Sequence, residues 1–249
     1  MPSLAQRRRA QVLSERAATE AGAPIAGVAA AMPEDGEATS EYRVLLAVLH
    51  EDLRQLGETQ SVTARNPLKA EMAVKYHAWI LGALEAGEAG NAAQDEIVTT
   101  NMIWAIDYRD IDTALALGSH VLTHGLALPE RYNRTPACLI AEEIATVAMA
   151  EPGAVTLEQL QRVAALTEER DMPDQARAKL FKALGRASAA SAAAFDPQAD
   201  NAVAGGKAAL LEAAIGAFGE AIKLHKDCGA KTDLRNAEGE LKKLAPPAT

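Results

Sequence analysis

Three groups of carboxylates carry the residue types that phosphodiester chemistry needs: Asp95-Glu96, then Asp107, Asp110 and Asp112, then Glu142-Glu143. Two or three carboxylates converging on Mg2+ would let the ion activate a water and stabilise the departing oxygen. Asp95, Glu96, Asp107, Asp110 and Asp112 are therefore the candidate catalytic residues, and Mg2+ is the implied cofactor if the chain cuts DNA. A local role competes at each position. Acids near a helix start favour its dipole, and aspartates in the turn before a helix are natural caps. His120 and His124 stand four apart on one helix face, which is ligand spacing. The Glu of H-E-x-x-H and a third ligand are missing, so a structural pair fits them better.

Basic residues suggest a second chemistry. Arg7, Arg8, Arg9 and Arg16 outweigh Glu15 and Glu20 in the first 20 residues, whereas residues 31–60 carry seven acids against two arginines. A basic arm ahead of an acidic body could contact DNA phosphates even though the whole chain has a net charge of −9. A solvated, frayed chain start accounts for the same charges. The loop Arg131-Tyr132-Asn133-Arg134-Thr135 could grip a phosphate beside a helix N-terminus, or be a solvated connection with a good cap.

Other chemistries lack their motifs. No G-x-x-x-x-G-K-[ST] loop occurs, so ATP hydrolysis by this chain alone is not expected. G-x-S-x-G and a catalytic cysteine context are also missing. Pro173-Asp174 and Glu240-Leu241-Lys242 imitate a P-D…(D/E)-x-K nuclease pattern, but that pattern needs a strand and these residues read as helical. Cys138 and Cys228 give neither a disulfide framework nor a zinc quartet, which fits a reduced cytosolic compartment. No stretch reaches the roughly 18 uncharged apolar residues of a spanning helix, and MPSLAQRRRA has no apolar run behind its arginines. Neither a membrane span nor a signal peptide is expected.

The elements that must position these residues read as helices throughout. Alanine supplies 55 of the 249 residues, and β-branched or aromatic runs with period two are missing. About nine helices are expected, and the fold class is all-α. The first spans about 4–21. The second, about 40–60 with Ser40 as its cap, carries Tyr42, Leu46, Leu49, Leu53 and Leu56 at spacings of 4, 3, 4 and 3. This heptad seam predicts a self-association helix, or an amphipathic helix packed on its own domain. Further helices are expected over 67–85 from Pro67, 91–106, 111–124 up to Gly125, 136–150 and 156–169. From Pro173 onward, Leu184-Gly185 and then Ala214, Phe218 and Ala221 resemble the packing positions of a tetratricopeptide-type pair, split by an insertion with Phe195, Asp196 and Pro197. Any helical hairpin would carry the same pattern. A charged helix over 230–244 closes the reading.

Pro152-Gly153 is the clearest break mid-chain. The organisation expected is a basic N-terminal arm and linker over 1–39, a helical, oligomerising core over 40–151, and a repeat-like helical-hairpin region over 152–249.

The segment AQDEIVTTNMIWAIDYRDIDTALALGSHVLTHGLALPERYNRTPACLIAEEIA, residues 93–145, resembles the terminase small subunit, or terminase endonuclease subunit, of P2-like tailed phages. SLAQRRRA, NPLKAEMAVKYHAWILGALEAGEAG and DMPDQARAKLFKALG agree in order, so the resemblance covers residues 3–20 and 40–245. It implies a DNA-packaging role: recognition of the cohesive-end site on concatemeric double-stranded phage DNA, assembly as a homo-oligomeric ring, and recruitment of the ATPase large subunit. It also implies work in the host cell cytoplasm rather than residence in the virion, and the family name implies cohesive-end cutting. In most terminases the large subunit holds the nuclease. A Lys/Arg-rich tail can follow the last helix in this family. Here the chain closes on LAPPAT, which moves the expected DNA contact to the N-terminal arginines or to basic faces of the oligomer. Two alternatives stay open. One is a metal-dependent endonuclease in its own right. The other is a helical-repeat adaptor with no DNA role, suggested by the 173–227 hairpin and the acidic balance.

Overall fold

A computed structural model describes residues 29–32, 37–198 and 205–244. The expected helix at 4–21, with Arg7, Arg8, Arg9 and Arg16, lies outside the described residues. Among those described, the secondary structure is helical except for a single parallel bridge between Ala30 and Ala93, so the chain is all-α. No described helix is long and apolar enough to cross a membrane. The chain forms two compact units, Met1–Pro136 and Ala137–Thr249.

In the first unit, α1 spans Glu37–Glu58. Its heptad positions Tyr42, Leu49 and Leu56 are buried, Leu46 and Leu53 are half-buried, and Asp52 is buried among them. The seam therefore packs on its own unit, against α2 and α4, defined below. Val44 and Val48 face outward, 65% and 36% exposed. The helix begins three residues before Ser40, so Ser40 is an interior residue and not the expected cap; Thr39, 2% exposed, is buried in that first turn.

The helix expected over 67–85 is two helices. α2, Val62–Ala73, starts at Ser61, whose hydroxyl accepts from the Ala64 amide at 3.3 Å. Pro67 lies inside it rather than at its start. A 3-10 turn, Val74–Tyr76, then leads into α3, His77–Glu88. Lys75 Nζ and the Tyr76 hydroxyl both donate to the buried Asp52 carboxylate at 2.6 Å, which pins this turn to α1.

α4, Glu96–Asp107, is the centre of the unit: every residue from Ile97 to Ile106 is buried. It starts later than the expected residue 91 because Asp95 caps it and the preceding residues bond elsewhere. The Gln94 amide donates to Ala30 O at 2.7 Å, and the Gln94 side chain exchanges two bonds with the Ala127 backbone. α5, Ile111–His124, matches its expected span. Asp110 caps it, and Gly125 ends it at φ 69°, a left-handed conformation suited to glycine.

The second unit holds α6 (Pro136–Ala150), α7 (Leu157–Thr167), α8 (Asp174–Ala194), α9 (Gly206–Leu224) and α10 (Lys231–Leu244). Thr156 and Gln159 form a reciprocal capping box on α7. Pro152-Gly153 lies in the α6–α7 connection, inside this unit. α8 and α9 form a helical hairpin on which α10 packs. Phe218 is the largest buried side chain of the hairpin, and its ring lies against Gly185, where no Cβ intervenes.

Candidate functional site

Asp95 is 2% exposed. One carboxylate oxygen accepts from the Ile97 and Val98 amides at 2.8 and 3.1 Å, satisfying the open end of α4. The other accepts from Trp79 Nε1 at 2.6 Å. Burial pushes its pKa up to about 6, against the pull of these three donors. Tyr42 completes the cluster. Its hydroxyl accepts from the Glu96 amide at 3.1 Å, and its ring lies 5.7 Å from that of Trp79. Burial, and then the Asp95 charge, push the Tyr42 hydroxyl well above the ordinary tyrosine range, so it stays neutral.

Glu96 faces outward into a second cluster. Arg131 Nη1 donates to its Oε1 at 2.7 Å, Arg131 Nη2 donates to Thr100 Oγ1 at 2.8 Å, and His50 Nε2 lies 3.7 Å from Oε2. The Arg131 guanidinium also sits 5.2 Å above the Tyr132 ring. The Arg131–Thr135 loop is thereby tied to α4, with Arg134 exposed on it.

The remaining acids separate. Asp107 accepts from Lys69 Nζ at 2.6 Å. Asp110 Oδ1 accepts from the Thr113 amide at 3.1 Å as the α5 cap, and Asp112 is exposed in the first turn of that helix. In the second unit Glu142 accepts from Lys179 at 2.9 Å, and Glu240 pairs with Lys243 at 2.6 Å on a helix, not a strand. Among the described residues no three His, Cys, Asp or Glu side chains gather where a metal ion could be held. The five candidate acids are thus not brought together as a cluster. What this geometry does chemically is hold helices and one basic loop in place.

The His120 and His124 rings lie with centroids 4.7 Å apart, tilted 56° to each other. A Cβ on Gly87 would meet His120 Cε1 at 2.4 Å, so glycine makes room for the pair against α3. Burial, and then the neighbouring His124, hold His120 down at about 4; burial also lowers His124.

Two buried polar residues escaped the sequence reading. Asp52 interrupts the apolar seam of α1, and Asn101 interrupts the apolar run of α4. An acid or amide inside an otherwise apolar helical face was the available signal.

The phage small terminase subunit family profile matches residues 46–175, more than half of the chain. The terminase endonuclease subunit of Escherichia phage P2 is 36% identical over 166 residues, covering 64% of this chain and 66% of that protein. The chain thus spans just under two thirds of that relative's length. No solved structure matches it. The matched span takes in most of α1, all of α2 to α7 and the start of α8, including every side chain of the Asp95 and Arg131 clusters but Tyr42, and the chain belongs to the phage small terminase subunit family.

Proposed function

We propose that this chain is the DNA-recognition and assembly subunit of a phage packaging terminase. It binds the cohesive-end site of concatemeric double-stranded DNA in the host cytoplasm, associates with copies of itself in a ring, and recruits the ATPase large subunit. The observation that supports recognition over cutting is the employment of the acids. Asp95 and Asp110 cap helices, while Asp107 and Glu96 are held by Lys69 and Arg131. Phosphate contact then falls on Arg7, Arg8, Arg9 and Arg16, with Arg131 and Arg134 beside the start of α6. Repetition around a ring multiplies a weak contact by avidity.

The second reading, a Mg2+-dependent endonuclease, is favoured by the name of the phage P2 relative, an endonuclease subunit. One experiment separates the two. Plasmid carrying the cohesive-end site is incubated with the purified protein in Mg2+ or in EDTA, without large subunit. Retarded, intact plasmid in both is expected. Loss of supercoiled plasmid in Mg2+ alone would move the cutting centre into this chain, and no retardation at low salt would leave a protein adaptor.

A further inference from the structure

In the first unit α3 and α5 lie side by side and run in the same direction. Gly87, near the end of α3, faces His120 and His124 near the end of α5. Earlier along both helices, His77 and Ile80 of α3 share a cleft of about 430 Å3 with Thr113 and Ala116 of α5. The half of this cleft toward the helix ends is apolar: Leu81 and Leu84 stand there half-buried, beside Leu117. The half toward the helix starts carries polar groups in reach of solvent. His77 and Asp110 are exposed, and Tyr108 and Thr113 are half-buried.

The described chain begins at the same helix ends. The Ala29 amide donates at 3.3 Å to the carbonyl of Gly125, the residue that closes α5. Ala30 pairs with Ala93 in parallel, so the direction upstream of Ala30 leads past Asn91 toward Gly90 and the end of α3. The residues ahead of Ala29 thus leave next to the apolar half of the cleft. Leu117 lies roughly 12 Å of helix back from Gly125. The four residues from Ile25 to Ala29 span at most about 14 Å when extended. Ile25 is therefore within reach of Leu84 and Leu117.

We propose that residues 22–28, which lie outside the described residues, dock as a strap in this cleft of their own chain, with Ile25 seated on Leu84 and Leu117. Composition matches the walls. Gly22 to Val28 reads Gly-Ala-Pro-Ile-Ala-Gly-Val and carries no charge, which suits apolar walls whose far rim holds the Asp110 carboxylate. Ile25 gains burial on the leucines. Pro24 keeps Ala23 extended, and the backbone there crosses the polar half, where His77, Tyr108 and Thr113 offer hydrogen bonds to it. The tether holds the strap at a high effective concentration beside the cleft, which favours it over any free partner. The strap fixes where the arginine-bearing residues ahead of it leave the unit, at the start of α5 rather than at its end.

Hydrogen exchange of the full chain, read by mass spectrometry, tests this. Residues 25–28 should exchange at least about tenfold more slowly than in the isolated 20–32 peptide. Ile25→Asp should return them to the peptide rate and lower Tm, while Ile25→Leu should keep the protection. Location is read by cross-linking. Ile25→Cys with Ala116→Cys should form an intrachain disulfide under mild oxidation, identified by peptide mass. Ile25→Cys with Ala47→Cys, exposed on α1 and outside the cleft, should not. Exchange at the peptide rate in the unaltered chain would overturn the proposal. So would protection without the Ala116 link, or equal linking to Ala116 and Ala47. A disulfide formed only between chains would hand the cleft to a second copy and overturn the intrachain strap.

Discussion

Trp79 Nε1 and Asp95 Oδ2 meet at 2.6 Å in the middle of the first unit, a buried indole donating to a buried carboxylate that caps the central helix. Asp95→Ala strips the α4 cap and leaves the Trp79 N–H without its acceptor. A loss of about 3 kcal/mol is expected in urea unfolding. Asp95→Asn keeps a capping oxygen for the Ile97 and Val98 amides but turns an NH2 toward the Trp79 N–H, so it should lose less than Asp95→Ala and still lose about 1–2 kcal/mol. Mg2+-dependent cutting, if observed, should be unchanged in Asp95→Asn. Loss of cutting with unaltered stability would make Asp95 a metal ligand.

Stability should respond to acid through two opposed groups. The folded pKa of His120 is depressed to about 4 from 6.5, so its contribution is present above pH 6.5 and is lost as pH falls toward 4. His124 acts in the same direction. Asp95 is raised to about 6 from 3.8, so its contribution is full below pH 3.8 and is lost as pH rises through 6. Each group adds a slope of at most about 1.4 kcal/mol per pH unit. Between pH 6 and 4 the histidines outweigh the aspartate, and the protein should weaken. His120→Gln should flatten this limb of the stability–pH curve and Asp95→Asn should steepen it. Identical curves for all three proteins would reject the assignment.

Two glycines, Gly185 on α8 and Gly219 on α9, make a paired test in the second unit. A Cβ on Gly185 would meet Phe218 Cδ1 at 2.5 Å, whereas one on Gly219 would meet nothing within 4 Å. Gly185→Ala should cost about 1–3 kcal/mol by forcing α8 and α9 apart. Gly219→Ala, inside α9, should stabilise by about 0.5–1 kcal/mol through helix propensity. Thermal unfolding of the two variants should shift in opposite directions.

Assembly offers a further contrast. Val44 and Val48 stand one helical turn apart on the outward face of α1, while Leu49 is fully buried. If copies of the chain associate through α1, Val44→Glu with Val48→Glu should lower the mass measured by light scattering and keep the helical signal. Leu49→Glu should unfold the first unit instead. An unchanged mass in the double variant would exclude this face.

The charge arm predicts a salt effect. Replacing Arg7, Arg8, Arg9 and Arg16 by Ala should reduce the slope of log K against log salt by about 3–4 if all four neutralise phosphates. An unchanged slope would place the contact elsewhere.

The helices were legible wherever a cap and a period agreed. Asp110 and Gly125 bracket α5 in sequence as they do in space, and Thr156 with Gln159 announces α7. The break between α2 and α3 was not legible, because Ala73 to Tyr76 carry no glycine or proline. What makes that turn is a distant partner, Asp52 on α1. The site reading suffered the same way. Asp95, Glu96, Asp107 and Asp110 look like a ligand set in one dimension, but Trp79, Arg131 and Lys69 reach them from 16, 35 and 38 residues away. Sequence spacing names the acids and cannot name those partners.

The 3-10 turn at Val74–Tyr76 winds at about 120° per residue where an α-helix winds at about 100°. Over three residues this advances α3 by roughly 60° relative to a straight continuation of α2. That phase shift aims the Trp79 indole at Asp95 while Tyr76 is held by Asp52. The two buried carboxylates thus grip side chains three residues apart, one at the end of the turn and one in the first turn of α3. If Asp52 released Tyr76, the turn could unwind toward α-helical pitch, and the same rotation would swing Trp79 off the end of α4.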